Sequence, residues 1–270
     1  GIDAIADLHN VLRTRVVGFF FAISGVKRVI LDKGRAAKRR LVARKKPLPI
    51  QPLPTSFDRY RQVFARLGFE TPKTFRSVFD DRHLPLPLPE GIESRREGEF
   101  WIGVAPFAKH EGKIYPLDRS ESLVARLSQR EDCRVFLMGG GGEEADLLGG
   151  WAEKYPRVVS LAGKRLGFAV ELSMMSRMTL VVSMDSANMH LASMAGTPVV
   201  SVWGQTHPYA GFLGWRQSKE NIIQLSDLSC RPCSIFGNKP CYRGDYACMQ
   251  ELSVERIWNR VEEILRREKK

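Results

Sequence analysis

Residues 180–203 read LVVSMDSANMHLASMAGTPVVSVW, and no other stretch limits the fold as tightly. Leu180, Val181 and Val182 form a short apolar run without polar alternation, the pattern of a parallel strand buried on both faces. Ser183, Asp185, Ser186 and Asn188 then supply turn and cap chemistry, so a helix is predicted to begin at Ser186 or Ala187. Ala187, Leu191 and Ala195 share one face of it. Gly196 ends the helix, Pro198 prevents its return, and Val199 to Trp203 is a second buried strand. In open α/β sheets, ligands bind beyond the carboxyl ends of the strands. Asp185 and Ser186 sit at such an end, the backbone N–H groups after them face the ligand, and a helix N-terminus favours an anion. Asp185 would itself repel a phosphate, so a sugar hydroxyl suits it better; His190 lies one turn further on. On this local pattern alone, a plain helix cap accounts for Asp185 and Ser186 equally well.

The alternation extends over much of the chain. Strands are predicted at Trp101–Ala105, Val135–Met138 and Val158–Leu161. Between them lie a helix capped by Asp118 that carries Leu123 and Leu127, a helix through Leu147 and Trp151, and a helix over Phe168–Met175. Strands alternating with helices imply a parallel sheet covered on both faces. Ser253 to Arg267, with Ile257, Val261, Ile264 and Leu265 on one face, is a terminal amphipathic helix.

The first ninety residues are less regular. Ala4–Leu8 and Val29–Leu31 read as strands, Val11–Ile23 and Phe57–Leu67 as helices. Pro47, Pro49, Pro52 and Pro54 mark an extended loop, and Leu84–Pro89 alternates Leu with Pro and cannot be helical. Residues 91–99 are polar and charged, a natural linker. The predicted division is therefore 1–90, the linker 91–99, a domain over 100–252, and the helix 253–270.

At 43% hydrophobic and 27% charged, the 270-residue chain is globular, and no apolar run reaches the ~20 residues that span a bilayer. Its formal charge of +12 calls for a polyanionic partner. The charge concentrates in Lys33, Arg35, Lys38, Arg39, Arg40, Arg44, Lys45 and Lys46, a run that contains no acid. A solvated helix face mixes signs; this run repels itself until an anion arrives, and an anionic membrane or a phosphorylated glycolipid fits it. Nucleic acid is not expected, because no aromatic residues interleave with the charges.

Cys230, Cys233, Cys241 and Cys248 are spaced so that they could hold a structural zinc, although only the first two are close in sequence; free thiols are the other reading. After the strand at Trp101–Ala105 comes PFAKHEGKIYP, residues 106–116. After the strand at Val135–Met138 come Gly139–Gly142, followed by Glu143 and Glu144. The glycines form neither a GxGxxG nor a Walker loop.

Asp185-Ser-Ala-x-x-His190, then Ala-x-x-Ala-Gly-Thr-Pro198, then Val202-x-Gly-x-Thr-x-Pro208 resembles the donor-site signature of glycosyltransferase family 9, which includes the ADP-heptose–lipopolysaccharide heptosyltransferases. The usual form is Asp-Thr-Gly-x-x-His, so Ser186 and Ala187 stand where the family has Thr and Gly. The loop at 106–116 is similar to the family's Pro-Gly-Ala-Ser/Thr…Lys-Arg-Trp-Pro. That similarity sets Ala108 and Lys109 in the donor loop and Lys113 on the phosphate-binding lysine. It also implies that Glu143, with Glu144 next, binds the nucleotide ribose, and that Lys164 lies in the adenine-side loop. Asp7-Leu-His-Asn-x-Leu-Arg13 is similar to a segment of the acceptor-side domain and implies acceptor-side roles for Asp7, His9 and Arg13; a turn stabilised by an Asp and an Arg explains the same residues.

The resemblance implies a GT-B fold of two Rossmann-like domains with parallel sheets, the first incomplete at its N-terminus. It implies an inverting, metal-independent transfer of a sugar, heptose foremost, from a nucleotide-sugar such as ADP-heptose to a lipopolysaccharide-core or related glycolipid. The family's general base lies in a glycine-rich first loop, which is expected before Gly1. The implied location is cytoplasmic, peripheral on the inner face of the inner membrane. A non-catalytic basic module that docks on anionic lipid or nucleic acid, with a structural zinc, remains the alternative from another class.

Overall fold

The computed structural model describes residues 1–80 and 83–269. By packing, the chain divides into two compact units, Gly1–Phe75 with Pro208–Leu213, and Arg76–His207 with Gly214–Lys270.

In the first unit, β1 (Ala4–Asp7), α1 (Leu12–Ile23) and β2 (Lys27–Ile30) form one strand–helix–strand repeat, with β1 and β2 paired in parallel. The basic stretch contains a short helix, α2 (Arg35–Leu41), in which Leu41 alone is buried. After the proline-rich loop, α3 (Ser56–Leu67) starts at a capping box. Thr55 Oγ1 accepts from the Asp58 N–H, and an Asp58 oxygen accepts from the Thr55 N–H. Val63 of α3 packs with Val29 and Leu31 as a small core. Gly68, at φ +95°, ends the helix in the left-handed conformation that glycine adopts without a Cβ clash.

The second unit is a six-stranded, all-parallel sheet with its helices. Its elements are β3 (Phe100–Ala105), α4 (Leu117–Ser128), β4 (Cys133–Leu137), α5 (Glu143–Lys154), β5 (Val158–Ser160) and α6 (Phe168–Ser176). They continue with β6 (Leu180–Met184), α7 (Ala187–Met194), β7 (Val199–Val202), β8 (Ile222–Ile223), α8 (Ala247–Gln250) and α9 (Val254–Glu268). The strand order is β5-β4-β3-β6-β7-β8. Every residue of β3, β6 and β7 is buried, as parallel strands covered on both faces require. Ile257, Val261, Ile264 and Leu265 of α9 join this core. Of the helix expected over 253–270, Lys270 lies outside the described residues.

The chain winds outward from β3 through β4 to β5, then returns to place β6 on the other side of β3. The winding therefore reverses between β3 and β6, and the crevice at their carboxyl ends is a topological switch point. One local expectation fails. Asp118 does not cap α4: Pro116 holds the N-cap position, and Asp118 is the second helical residue, where its charge complements the helix dipole. Among the described residues no helix is long and apolar enough to cross a membrane.

Candidate functional site

All the strand-end segments singled out in the second unit emerge at one edge of its sheet. The segment after β3 closes in a single 3-10 turn, Glu111–Lys113, that aims Lys113 at the segment after β6. There the Lys113 ammonium lies 2.9 Å from Asp185 Oδ2 and donates to the Asp185 carbonyl oxygen at 3.1 Å. Both side chains are largely buried, at 15% and 5% exposure. The contact at Oδ2 is an ion pair rather than an aligned hydrogen bond, which leaves that oxygen's hydrogen-bonding capacity unused. Residues 72 apart in sequence thus meet at the switch point.

Ser186 occupies the N-cap position of α7 with extended backbone, but its hydroxyl does not cap. It lies 3.3 Å from Ser183 Oγ, so the first N–H groups of α7 are not satisfied by this side chain. Ala187 opens the helix and is exposed. His190 follows one turn on and is half-buried. Burial pulls its pKa below the ordinary value; the Asp185 carboxylate opposes this and the Lys113 ammonium adds to it. Its ring is therefore neutral near pH 7, within the field of both partners.

The remaining candidates spread along the same edge. Ala108 is partly buried against the core and Lys109 is exposed. Glu143 begins α5 with its side chain exposed, whereas Glu144 accepts a 2.6 Å hydrogen bond from the Gly140 N–H and so braces the glycine turn. Of the two carboxylates, Glu143 is the one left facing outward. Lys164 is exposed on a turn whose Gly163 has φ +72° and lies so close to α5 that an added Cβ would stand 2.8 Å from Ala145 Cβ.

Three features escape sequence reasoning. Gly237 packs against the stem of Lys113: an added Cβ would meet its Cγ at 2.7 Å, at a φ of +73°. Gly112 leaves room for Gln205, whose amide is fully buried with neither end hydrogen-bonded. Arg231 is 5% exposed and sends its guanidinium into the segment after β7. It donates to the carbonyls of Gly204 (2.6 Å), Trp203 (3.0 Å), Thr206 (3.1 Å) and Leu225, and to Gln224 Oε1 (3.0 Å). Only the glycines leave a sequence trace, and it does not say what they adjoin.

Of the two readings of Cys230, Cys233, Cys241 and Cys248, thiols or a structural zinc, the described residues do not present the second as a ready ligand set. None of the five cysteines is in a disulfide, and among the described residues no group of three or more His, Cys, Asp or Glu is arranged to hold a metal ion. Cys248 belongs to the buried core, where burial pushes its thiol up to about 12 against the opposing charge of Arg231. In the first unit, Asp7 is buried and bound by the His9 N–H at 3.1 Å, the Asn10 N–H at 2.7 Å and Arg28 Nη2 at 2.6 Å. The Arg that stabilises this turn is Arg28, while His9 and Arg13 are exposed.

The parallel sheet and its switch-point lysine–carboxylate pair define an open α/β protein with a polar crevice at its topological switch point. The model of glycosyltransferase family 9 (heptosyltransferase) matches residues 2–239, and the chain belongs to that family. The chain is 28% identical over 131 residues to lipopolysaccharide heptosyltransferase 3 of Escherichia coli (strain K12). That match spans 47% of this chain and 36% of the relative's length. Its fold is similar to that of E. coli heptosyltransferase WaaC solved with ADP, with a TM-score of 0.63 and 18% identity over 98% of this chain and 73% of that one. A glycosyltransferase family 9 structure from Veillonella parvula DSM 2008 gives a TM-score of 0.60 at 17% identity, covering 92% of this chain and 65% of that one. WaaC solved with ADP-2-deoxy-2-fluoro heptose gives 0.59 at 18% identity, covering 97% of this chain and 65% of that one. The fold is accordingly the α/β, parallel-sheet architecture of the GT-B heptosyltransferases.

Proposed function

We propose that this chain serves an inverting glycosyltransferase, which moves a sugar, heptose foremost, from ADP-heptose or a similar nucleotide-sugar to a lipopolysaccharide-core or related glycolipid. The observation that carries the reading is the buried Lys113–Asp185 pair at the switch point of β3 and β6. The WaaC structures that share this fold were solved with ADP and with a fluorinated ADP-heptose, which supports an adenine nucleotide-sugar. In this reading the second unit takes the donor, with residues 100–252 as its domain, and the first takes the acceptor.

Charge assigns the roles. Lys113 and the uncapped N–H groups of α7 receive the diphosphate, and both act most strongly on the negative charge that grows as the nucleotide leaves. Asp185 is the partner for a sugar hydroxyl, because a carboxylate accepts from hydroxyls and repels phosphate. Glu143 accepts from the ribose hydroxyls, Ala108 and Lys109 line the donor loop, Lys164 lies beside the base, and neutral His190 supplies one donor and one acceptor. Asp7 is not the general base. Burial raises its pKa, but its carboxylate is already engaged by the His9 and Asn10 N–H groups and by Arg28, which hold that pKa below the ordinary value.

The positive charge needed at the diphosphate comes from Lys113 and the helix, so the reaction is proposed to run without a catalytic metal. The enzyme is proposed to work as a peripheral protein on the inner face of the inner membrane, with the basic run of residues 33–46 toward anionic lipid. Calorimetric titration with ADP and ADP-heptose, in EDTA and again with Mg²⁺, tests the reading. Binding that is equal in both media is expected; affinity that vanishes in EDTA and returns with Mg²⁺ overturns the metal-free site. Vesicle binding without any nucleotide-sugar affinity would make the chain a basic docking module instead.

A further inference from the structure

The turn that carries Lys113 contains a glycine that the backbone does not demand. Gly112 lies outside the left-handed region, so its conformation would accept a side chain. What excludes one is Gln205: an added Cβ would stand 2.0 Å from Gln205 Oε1 and 2.3 Å from its Cδ. Gln205 is fully buried, and among the described residues no group bonds either end of its amide. At this place the side chain therefore acts through bulk and fit. Its backbone holds the same turn, because the Gln205 N–H donates to the Gly112 carbonyl at 2.9 Å. The Gln205 carbonyl faces a different segment and accepts from the Cys233 and Ser234 N–H groups at 3.1 and 3.3 Å. Ser234 is buried, and its hydroxyl accepts from the Gly237 N–H at 2.9 Å. Gly237 in turn packs on the stem of Lys113. One buried residue thus joins the turn that carries the lysine to the loop that covers it.

All of these residues belong to the second unit. We propose that Gln205 is a positioning residue for Lys113: its side chain is the wedge that sets the Gly112 turn, and with it the place where the ammonium meets the diphosphate. This rests on the donor reading given above and adds to it the residue that fixes the lysine from behind. A lysine carries a point charge on a long, flexible stem, so it serves a phosphate best when that stem is held. Asp185 holds the ammonium, Gly237 flanks the stem, and the Gly112 turn sets its root. Without the wedge, the turn relaxes into the space that the amide leaves. A misplacement of about 1 Å can cost a site up to about 100-fold. Here the loss is bounded by what the lysine itself contributes, because Gln205 acts only through the lysine.

The test reads the ADP affinity of the whole chain by calorimetry, with circular dichroism as the folding control. Gln205→Ala is expected to weaken ADP about tenfold. Gln205→Met keeps the bulk and removes only an unpaired amide, so it is expected to stay within about threefold of wild type. Gly112→Ala pushes on the amide from the other side and is expected to weaken ADP as well. In Gly112→Ala/Gln205→Ala the new methyl takes up part of the vacated space, and affinity is expected to recover by about threefold over either single variant. Both single effects are expected to disappear in a Lys113→Met background. A residue that merely supports the fold would weaken ADP by the same factor with or without the ammonium. Equal factors in the two backgrounds, wild-type affinity in Gln205→Ala, or a Gln205→Met as weak as Gln205→Ala overturns the inference. Should Gln205→Ala not fold, Gly112→Ala in the two lysine backgrounds decides by the same comparison. If Lys113→Met itself binds ADP as wild type does, the donor reading fails and the inference with it. If Lys113→Met weakens ADP and Gln205→Ala does not, the donor reading stands and the inference falls.

Discussion

Asp185→Asn separates the two jobs that the switch-point pair performs. The carboxylate lies beside the ammonium that is proposed to hold the diphosphate. Its charge therefore opposes the incoming phosphate while its oxygens favour a sugar hydroxyl. Two like charges ~5 Å apart repel by ~3 kcal/mol at an effective dielectric constant of about 20. Lys113 attracts the phosphate with either side chain at 185 and does not enter the difference, so up to about 3 kcal/mol of repulsion is removed. Asparagine removes the charge and keeps the shape, so ADP, which has no sugar beyond its ribose, is expected to bind more tightly, by up to about 100-fold. Transfer from the full nucleotide-sugar moves the other way. A charge-assisted hydrogen bond to a sugar hydroxyl is lost, worth ~1.5–3 kcal/mol, so kcat/KM falls by about 10- to 150-fold.

Calorimetry with ADP and with ADP-heptose, together with steady-state transfer and circular dichroism as the folding control, reads both signs. The telling quantity is the ratio of the two affinities, because general damage to the site lowers both. If Asp185→Asn weakens ADP as much as loss of the lysine does, the carboxylate serves to position Lys113 and the sugar role is wrong. If ADP tightens and transfer is untouched, the sugar is bound elsewhere.

Lys113→Met keeps the buried stem and removes the charge; ADP affinity should fall by about 10- to 150-fold, equivalent to ~1.5–3 kcal/mol, as measured by titration. Gly237→Ala should weaken ADP binding although Gly237 is assigned no phosphate contact, because its Cβ would displace Lys113 Cγ and its φ of +73° disfavours a side chain; wild-type affinity together with a wild-type melting temperature would refute this. His207 is buried, and burial together with the Arg231 charge holds its pKa at about 4, below the ordinary 6.5. The unfolded chain therefore takes up this proton first, and His207 contributes stability above pH 6.5 that is lost as the pH falls toward 4. The full loss is on the order of 3 kcal/mol, and urea melts of wild type and His207→Gln between those pH values should show the slope only in wild type. Neutralising Arg39, Arg40, Arg44, Lys45 and Lys46 should weaken vesicle binding and leave ADP titrations unchanged; vesicle binding that is unchanged at every salt concentration would make the run a solvated surface.

The second unit was readable from sequence because its signals are local. A parallel strand buried on both faces needs an unbroken apolar run, and 180–184 and 199–202 come close to one. The reversal of winding that brings Lys113 to Asp185 is not local; the family pattern at 106–116, rather than periodicity, picked out that lysine. Glu143 and Glu144 show the limit of spacing. They are adjacent in sequence, and only the Gly140 N–H, which engages one of them, tells the outward-facing carboxylate from the bracing one. Asp118 failed for a related reason: Pro116 is compatible with the start of a helix and holds the cap position two residues earlier. The four cysteines share a stretch of chain, yet metal binding needs their sulfurs to converge, and spacing beyond one close pair does not dictate convergence.

Arg231 explains why the edge near β7 needed a residue that no motif announces. β8 has only two residues; it pairs with Ser201 and Val202, and its last contact is the Trp203 N–H donating to the Ile223 carbonyl at 3.0 Å. The chain from Trp203 to Thr206 therefore leaves the ladder while still buried, and its carbonyls face the interior without a strand beside them. Buried carbonyls without donors are costly, and a guanidinium offers five N–H groups in a rigid plane. Arg231 gives them to Trp203, Gly204, Thr206 and Leu225. The cost is a buried cation, visible as a pKa pulled down by burial to about 10. Lysine at 231 would supply three donors from a point charge and could not span those carbonyls, so Arg231→Lys should loosen the segment that Gln205 and Gly112 share, seen as faster amide hydrogen exchange there than in wild type. Because that segment donates to the Gly112 carbonyl, one residue before Lys113, the support given by Arg231 ends at the ammonium of the proposed donor site.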